Sequence, residues 1–287
     1  MCRRTEEMLY LALCIHSLQH NIIMTNKKQD FFGKNMERYF EINKNGCNVR
    51  CKMYFADAYN IQKVVVFGHG FGGHMDNRAA EKFAQRVLST KKGIAVITFN
   101  WPCHGDDVKK KLHLSDCMSY LDVVVGFVKE KYTTDNIYAY ATSFGGYLTL
   151  KYIAEYGDPF TKIALRCPAV NMYDVLTKTI ISSEEYERIL KGRDTPVGFD
   201  RKIIVNTNFL GELKDSDIFK YSYTDHADDI LILQGTKDEV VPVSAVREFS
   251  DRNMIRFIPV DGADHRFQNP VHMDYAIKSI VEFFEFK

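Results

Sequence analysis

The chain has 287 residues, with 38 Lys and Arg against 37 Asp and Glu and a formal net charge of +1. At 46% hydrophobic and 26% charged residues it has the composition of a globular protein with a large core, which excludes collagen-like and disordered chains. Near-neutrality argues against nucleic acid as a main partner, and no apolar run reaches the roughly 18 residues that span a bilayer, so no stable membrane insertion is expected.

At the N-terminus, Arg3 and Arg4 precede an apolar run at residues 8–15, which has the outline of an export signal. Glu6 and Glu7 spoil its basic start, His16 ends it early, and no small-residue cleavage site follows. Residues 1–35 are therefore read as an N-terminal extension, with translation from Met24 as one explanation of it. Export through the apolar run is the weaker alternative to a cytoplasmic protein. The seven cysteines are scattered without a C-x-x-C, which indicates neither a zinc knuckle nor a redox pair and suits a reducing compartment. Cys47 and Cys51 are read as neighbouring thiols rather than as a pair or metal site.

Residues 39–42 and 49–55 alternate with period two around Asn43-Lys-Asn-Gly46, which predicts an antiparallel hairpin. Lys63-Val-Val-Val-Phe67 is a continuous apolar run, as expected of a strand covered on both faces. Helical periodicity over residues 78–88 leads to a strand at 94–99, and a helix over 114–130 leads to a strand at 136–140. A helix over 146–156 and strands at 162–166, 230–233 and 255–258 follow, and a helix over 274–286 closes the chain. Repeated βα units predict an α/β protein with a mostly parallel sheet covered by helices on both faces. Residues 171–222 break this rhythm: they are polar, start a helix at Ser182-Ser-Glu-Glu185 and carry Pro196, Gly198 and Gly211 as breakers. The simplest reading is one domain over residues 36–287 with a small cap inserted at about 171–222.

In such a sheet, functional groups collect in loops at the carboxyl ends of the strands. Tyr140-Ala-Thr-Ser143-Phe-Gly-Gly146 is G-x-S-x-G with Ala141 for the first glycine, between a strand and a helix. That setting suits a sharp turn that pushes a serine Oγ out of the sheet, where only small neighbours fit. Asp238 follows the strand at 230–233, and His265 follows the one at 255–258. Ser143, Asp238 and His265 thus stand in the order nucleophile, acid, base, 95 and 27 residues apart. A helix cap is the ordinary alternative for Asp238, and a surface loop for His265.

The fourth loop, Phe67-Gly-His69-Gly-Phe71-Gly-Gly-His74, matches G-x-G-x-x-G over residues 68–73. A dinucleotide site is disfavoured, because a hairpin precedes the strand and the next strand ends at Phe99-Asn100 with no carboxylate for a ribose. The loop also has the H-G-x-x-x form that supplies an oxyanion-hole amide, so the Phe71 and Phe144 N–H groups are assigned that role. His69 and His74 lack the helical i, i+4 register of a metal pair. His69 is read as a brace for the loop, and neither a metal nor a cofactor is expected.

These loops carry a resemblance. His69-Gly-Phe-Gly-Gly, Asn100-Trp-Pro-Cys-His-Gly-Asp106, Ala141-Thr-Ser-Phe-Gly, Gly235-Thr-Lys-Asp-Glu-Val-Val-Pro242 and Gly262-Ala-Asp-His265 are similar to the motifs of α/β-hydrolase serine hydrolases of the monoacylglycerol-lipase and bacterial cinnamoyl/feruloyl-esterase type. The resemblance runs from about Tyr39 to the C-terminus, with Ala141, Thr142 and Trp101-Pro-Cys as departures. It implies an α/β-hydrolase fold, with Ser143, Asp238 and His265 as nucleophile, acid and base. It further implies a carboxylesterase-type serine hydrolase acting on a small-molecule ester of a small aromatic or short-to-medium acyl group. Thioester and aminopeptidase-type amide cleavage use the same machinery, and a non-catalytic ligand-binding protein of this fold is the alternative from another class. His69, Trp101, Tyr173 and Phe267 are candidates for an apolar pocket, joined by Phe71, Phe144, Tyr186 and Phe199. A net charge near zero suits a neutral ester, which needs no electrostatic steering. Nothing in the pattern sets an oligomeric state.

Overall fold

A computed structural model describes residues 24–31, 35–105, 107 and 111–286. The apolar run at residues 8–15 and the upstream part of the expected N-terminal extension lie outside them. Among the described residues, no helix is long and apolar enough to cross a membrane.

The sheet begins with antiparallel strands: β1 (Met24–Phe31), β2 (Asn35–Lys44) and β3 (Cys47–Phe55). β2 and β3 form the predicted hairpin, with Ile42 opposite Val49 and Lys44 opposite Cys47. Asn45 and Gly46 take positive φ of 54° and 74° at its tip, the conformation of a two-residue hairpin turn. β1 pairs with β2, so part of the stretch expected as a separate extension forms the outer strand of this sheet.

The parallel part follows as βα units. β4 (Lys63–Gly68), α1 (Arg78–Thr90), β5 (Ile94–Phe99), α2 (Leu114–Tyr132), β6 (Ile137–Thr142), α3 (Phe144–Tyr156) and β7 (Lys162–Arg166) come in chain order. An inserted segment then holds α4 (Met172–Val175), which runs on into a π-helical turn (Leu176–Ile180), and α5 (Ser183–Leu190). It also holds the hairpin β8 (Thr195–Val197) and β9 (Ile203–Val205), and α6 (Thr207–Asp215). The sheet resumes with β10 (Ile230–Gly235), α7 (Val243–Arg252), β11 (Arg256–Val260) and α8 (Pro270–Phe284). β8 and β9 pair only with each other, so the insertion adds no strand to the central sheet.

The strand order β1-β2-β3-β5-β4-β6-β7-β10-β11 explains where a site can form. The chain moves from β4 outward to β5, then α2 carries it back past β4 to β6. Right-handed crossovers in opposite directions place α1 and α2 on opposite faces. Two apolar layers result, one around α2 and α3 and the other around α1 and α8. β5, β6 and β10 are buried along their whole length, which is why they read as apolar runs without alternation. Phe83 of α1 is fully buried edge-on between Tyr140 and Phe284, with centroids 5.2 and 6.2 Å away; such a ring contributes roughly 2–3 kcal/mol. The reversal at β4 and β6 opens a crevice at their carboxyl ends, the place where doubly wound sheets bind ligands.

Candidate active site

Three loops meet at that crevice, and the serine lies on the most constrained of them. Ser143 joins β6 directly to α3 with φ 51° and ψ −119°, a conformation that costs of the order of 1–3 kcal/mol in a residue with a Cβ. Hydrogen bonds hold it on both sides: its N–H donates to Arg166 O at 3.1 Å, and its carbonyl accepts from Tyr147 and Ala169 N–H, both at 3.1 Å. The turn is possible because α3 starts against the β4 loop. A Cβ on Gly145 would stand 2.4 Å from Gly68 O and 2.7 Å from His69 O. Strain stored at Ser143 has a measurable consequence. Ser143→Gly is expected to be about 1 kcal/mol more stable than Ser143→Ala in urea unfolding, since both remove the hydroxyl and only glycine relaxes the backbone. Equal stabilities would mean that the turn carries no strain.

Asp238 follows β10 and is buried side-chain deep. Its Oδ1 accepts from Val240 N–H (2.9 Å) and Val241 N–H (2.8 Å), and its Oδ2 accepts from Gln234 Nε2 at 2.8 Å. His265, after β11, points Nδ1 at both carboxylate oxygens, 3.0 and 2.9 Å away. Burial alone would raise the Asp238 pKa. Hydrogen bonding and charge from His265, with the Val241 amide and the Cys167 thiol, outweigh burial and hold it below the ordinary carboxylate value. An ionised Asp238 fixes the proton of His265 on Nδ1 and leaves Nε2 free to accept one. Ser143 and His265 line the same cavity of about 690 Å³. Among the described residues no hydrogen bond joins the two side chains.

Histidines of the adjoining loops do different work. His69 is buried, donates from Nδ1 to Gly70 O at 2.8 Å and accepts from Trp101 N–H at 3.4 Å, while Trp101 Nε1 donates to His69 O at 2.9 Å. His104 donates from Nδ1 to Pro102 O at 2.8 Å. Burial pushes the pKa of His69 well below the ordinary value and that of His104 down to about 4. Both are therefore neutral braces. Because an unfolded histidine binds a proton below about 6.5 and folded His104 does not until about 4, the unfolded state gains protons first as pH falls. Stability should decline between pH 6.5 and 4, on the order of 3 kcal/mol from His104 alone. Urea unfolding at stepped pH measures it; a flat profile in that window would show that these rings are not buried neutral.

The pocket differs from its expected lining. Phe267 lines the cavity together with Phe71, Ile180, Phe199, Val240 and Met273. His69 and Trp101 do not: both are sealed beneath the loop, bonded to each other. Tyr173 does not either, and packs half-buried against the main core. The insertion reaches the cavity through Ile180, Phe199, Asp200 and Arg201. Glu212 of α6 ties it down, accepting from Leu114 N–H at 2.8 Å and pairing with His113 Nδ1 at 2.6 Å. This supplies the start of α2 with an acceptor that its own cap residue lacks.

Known proteins share this arrangement of strands. The hydrolase family described as serine aminopeptidase, S33, matches residues 59–190. A putative hydrolase from Agrobacterium vitis superposes with a TM-score of 0.67 at 16% identity, covering 92% of this chain and 99% of its own. The ferulic acid complex of Est1E from Butyrivibrio proteoclasticus follows with a TM-score of 0.64, 18% identity and coverage of 84% and 98%. A monoacylglycerol lipase from Paleococcus ferrophilus gives 0.54, 18%, 78% and 96%. The protein has the α/β-hydrolase fold. No curated protein matches the sequence.

Within this α/β-hydrolase fold, two neighbours of Asp238 escape a reading of sequence motifs. Gln234 is a fully buried amide at the end of an otherwise apolar strand, and that polarity was the available signal. Cys167 carries no sequence signal at all. Its sulfur lies with the Asp238 and His265 donor atoms inside a 4.8 Å cluster. Burial pushes the Cys167 thiol well above its ordinary pKa, so it is a protonated neighbour of the carboxylate rather than a thiolate metal ligand. The Gly68–Gly73 loop also departs from a dinucleotide site, because α1 begins only at Arg78, capped by Asn77.

Proposed function

We propose that the protein is a serine hydrolase of carboxylic esters, with Ser143 as nucleophile, His265 as general base and Asp238 as the acid that orients it. The observation that carries this reading is the buried Asp238–His265 pair, 2.9 Å apart, facing the same cavity as a serine held at φ 51°. His265 Nε2 takes the Ser143 proton as Oγ attacks the ester carbonyl, and Asp238 stabilises the imidazolium that forms. The tetrahedral oxyanion is received by the N–H groups of Phe71 and Phe144. Phe144 opens α3, so its N–H has no partner within the helix and sits at the positive end of its dipole. His265 then protonates the leaving alcohol, and water, deprotonated by the same ring, releases the acid from Ser143.

Phe71, Phe199, Phe267, Ile180 and Met273 around the cavity support a small aromatic or short-to-medium acyl group. Residues 171–222 serve as the cap over it. Among the described residues no disulfide involves Cys47, Cys51, Cys103, Cys117 or Cys167, which supports a cytoplasmic setting. Rates on p-nitrophenyl esters of graded chain length and on methyl hydroxycinnamates test the reading: turnover of short or aromatic esters is expected, and no turnover of any would contradict it.

A further inference from the structure

The cavity is cationic even though the chain is almost neutral. Arg78, Lys82, Arg166, Arg201 and Arg266 line it against Asp76 and Asp200. Both acids are already engaged: Asp200 with Arg266 at 2.9 Å, and Asp76 with Lys52 at 3.0 Å, a lysine outside the lining. Lys82 also reaches Asp274, outside the lining, at 4.0 Å, so the excess rests on Arg78, Arg166 and Arg201, which pair with no acid among the described residues.

Arg166 is the member that demands a partner. Only 6% exposed, it ends β7 beside the serine, with its own carbonyl bonded to Ser143 N–H. Its Nη1 donates to Arg266 O at 3.4 Å and faces Met273 Sδ at 3.2 Å, and the Phe267 ring lies 5.1 Å from Cζ. Nε is buried with no partner. Among the described residues, no carboxylate lies within ion-pair distance and the Nε–Nη2 edge is unbonded. A buried guanidinium without a counter-charge is costly, and its planar two-donor edge matches a carboxylate.

We propose that the ester turned over at this site carries a carboxylate, which pairs with Arg166 while the scissile carbonyl sits at Ser143. This inference rests on the hydrolase reading and names its substrate class: half-esters of dicarboxylic acids, or esters with a free acid on the alcohol side. Arg78 and Arg201, both exposed at the rim, would raise the encounter rate of such anions. The chain-wide charge conceals this local excess, so the neutral substrate suggested by composition gives way to an anionic one.

The test compares p-nitrophenyl butyrate with mono-p-nitrophenyl succinate, which have similar shape and differ in one carboxylate. In the wild-type protein kcat/KM should favour the succinate by at least about tenfold, and the preference should shrink as salt is added. Arg166→Gln should lower that ratio by a similar factor, and Arg166→Lys, which keeps the charge without the fork, by less. Equal rates on both esters, or a ratio untouched by either variant, would overturn the proposal. Succinate binding, followed by calorimetry on the wild-type protein and on both variants, separates the two claims. If neither ester is cleaved but succinate binds through Arg166, the hydrolase reading fails and the anion site stands. If succinate does not bind, or binds equally without Arg166, the anion site fails.

Discussion

Ser143→Ala is expected to lower kcat/KM on any ester the protein cleaves by about five to six orders of magnitude. The loss is this large because, in the proposed mechanism, the hydroxyl is the atom that forms the covalent intermediate. His265 and Asp238 have no other nucleophile to activate, so their contributions vanish with it. What remains is the rate supplied by the backbone donors and by binding. The fold should survive, since the contacts holding the turn are main-chain bonds from Ser143 to Arg166, Tyr147 and Ala169. A variant with intact circular dichroism and full esterase activity would remove Ser143 from the mechanism.

Asp238→Asn should cost about four orders of magnitude in kcat. An amide presents one donor and one acceptor where the carboxylate presents two acceptors to His265 Nδ1, Val240 N–H, Val241 N–H and Gln234 Nε2. Some donor is then left facing the NH₂ group. The imidazole no longer has a fixed tautomer with Nε2 bare, and the cation formed during attack loses its counter-charge. Stability should fall too, with a definite pH signature. The Asp238 carboxyl titrates below its unfolded value of 3.8, so its ionised form stabilises the fold above about pH 4 and that contribution fades as pH drops further. Urea unfolding of wild type and Asp238→Asn at pH 7 and at pH 3 should therefore show the gap between them closing in acid.

Much of this was legible in the residues. The hairpin at Asn45-Gly46, the apolar runs of β4, β5 and β10 and the loops carrying Ser143, Asp238 and His265 fall where periodicity and turn chemistry place them. These signals are local, and each expresses one physical demand: burial on both faces, positive φ, or a sharp strand-to-helix turn. The cavity lining was less legible because it depends on where a side chain points after packing. Trp101 and His69 sit in the right loops yet turn inward to satisfy each other, while Ile180 and Arg201 reach the cavity beside the expected Phe199 from an insertion without sheet periodicity. Arg166 was hidden for the same reason. Its strand announced itself by Ile163, Ala164 and Leu165, and nothing in the sequence marks the charge at its end as buried beside Ser143.

The most direct measurement is covalent labelling with a fluorophosphonate, followed by intact mass and peptide mapping. A serine activated by the Asp238–His265 pair is expected to take up one phosphonyl group, on the peptide containing Ser143. Labelling should be lost in Ser143→Ala and strongly slowed in Asp238→Asn. No uptake by the folded wild-type protein, or uptake on another residue that persists in Ser143→Ala, would contradict the account.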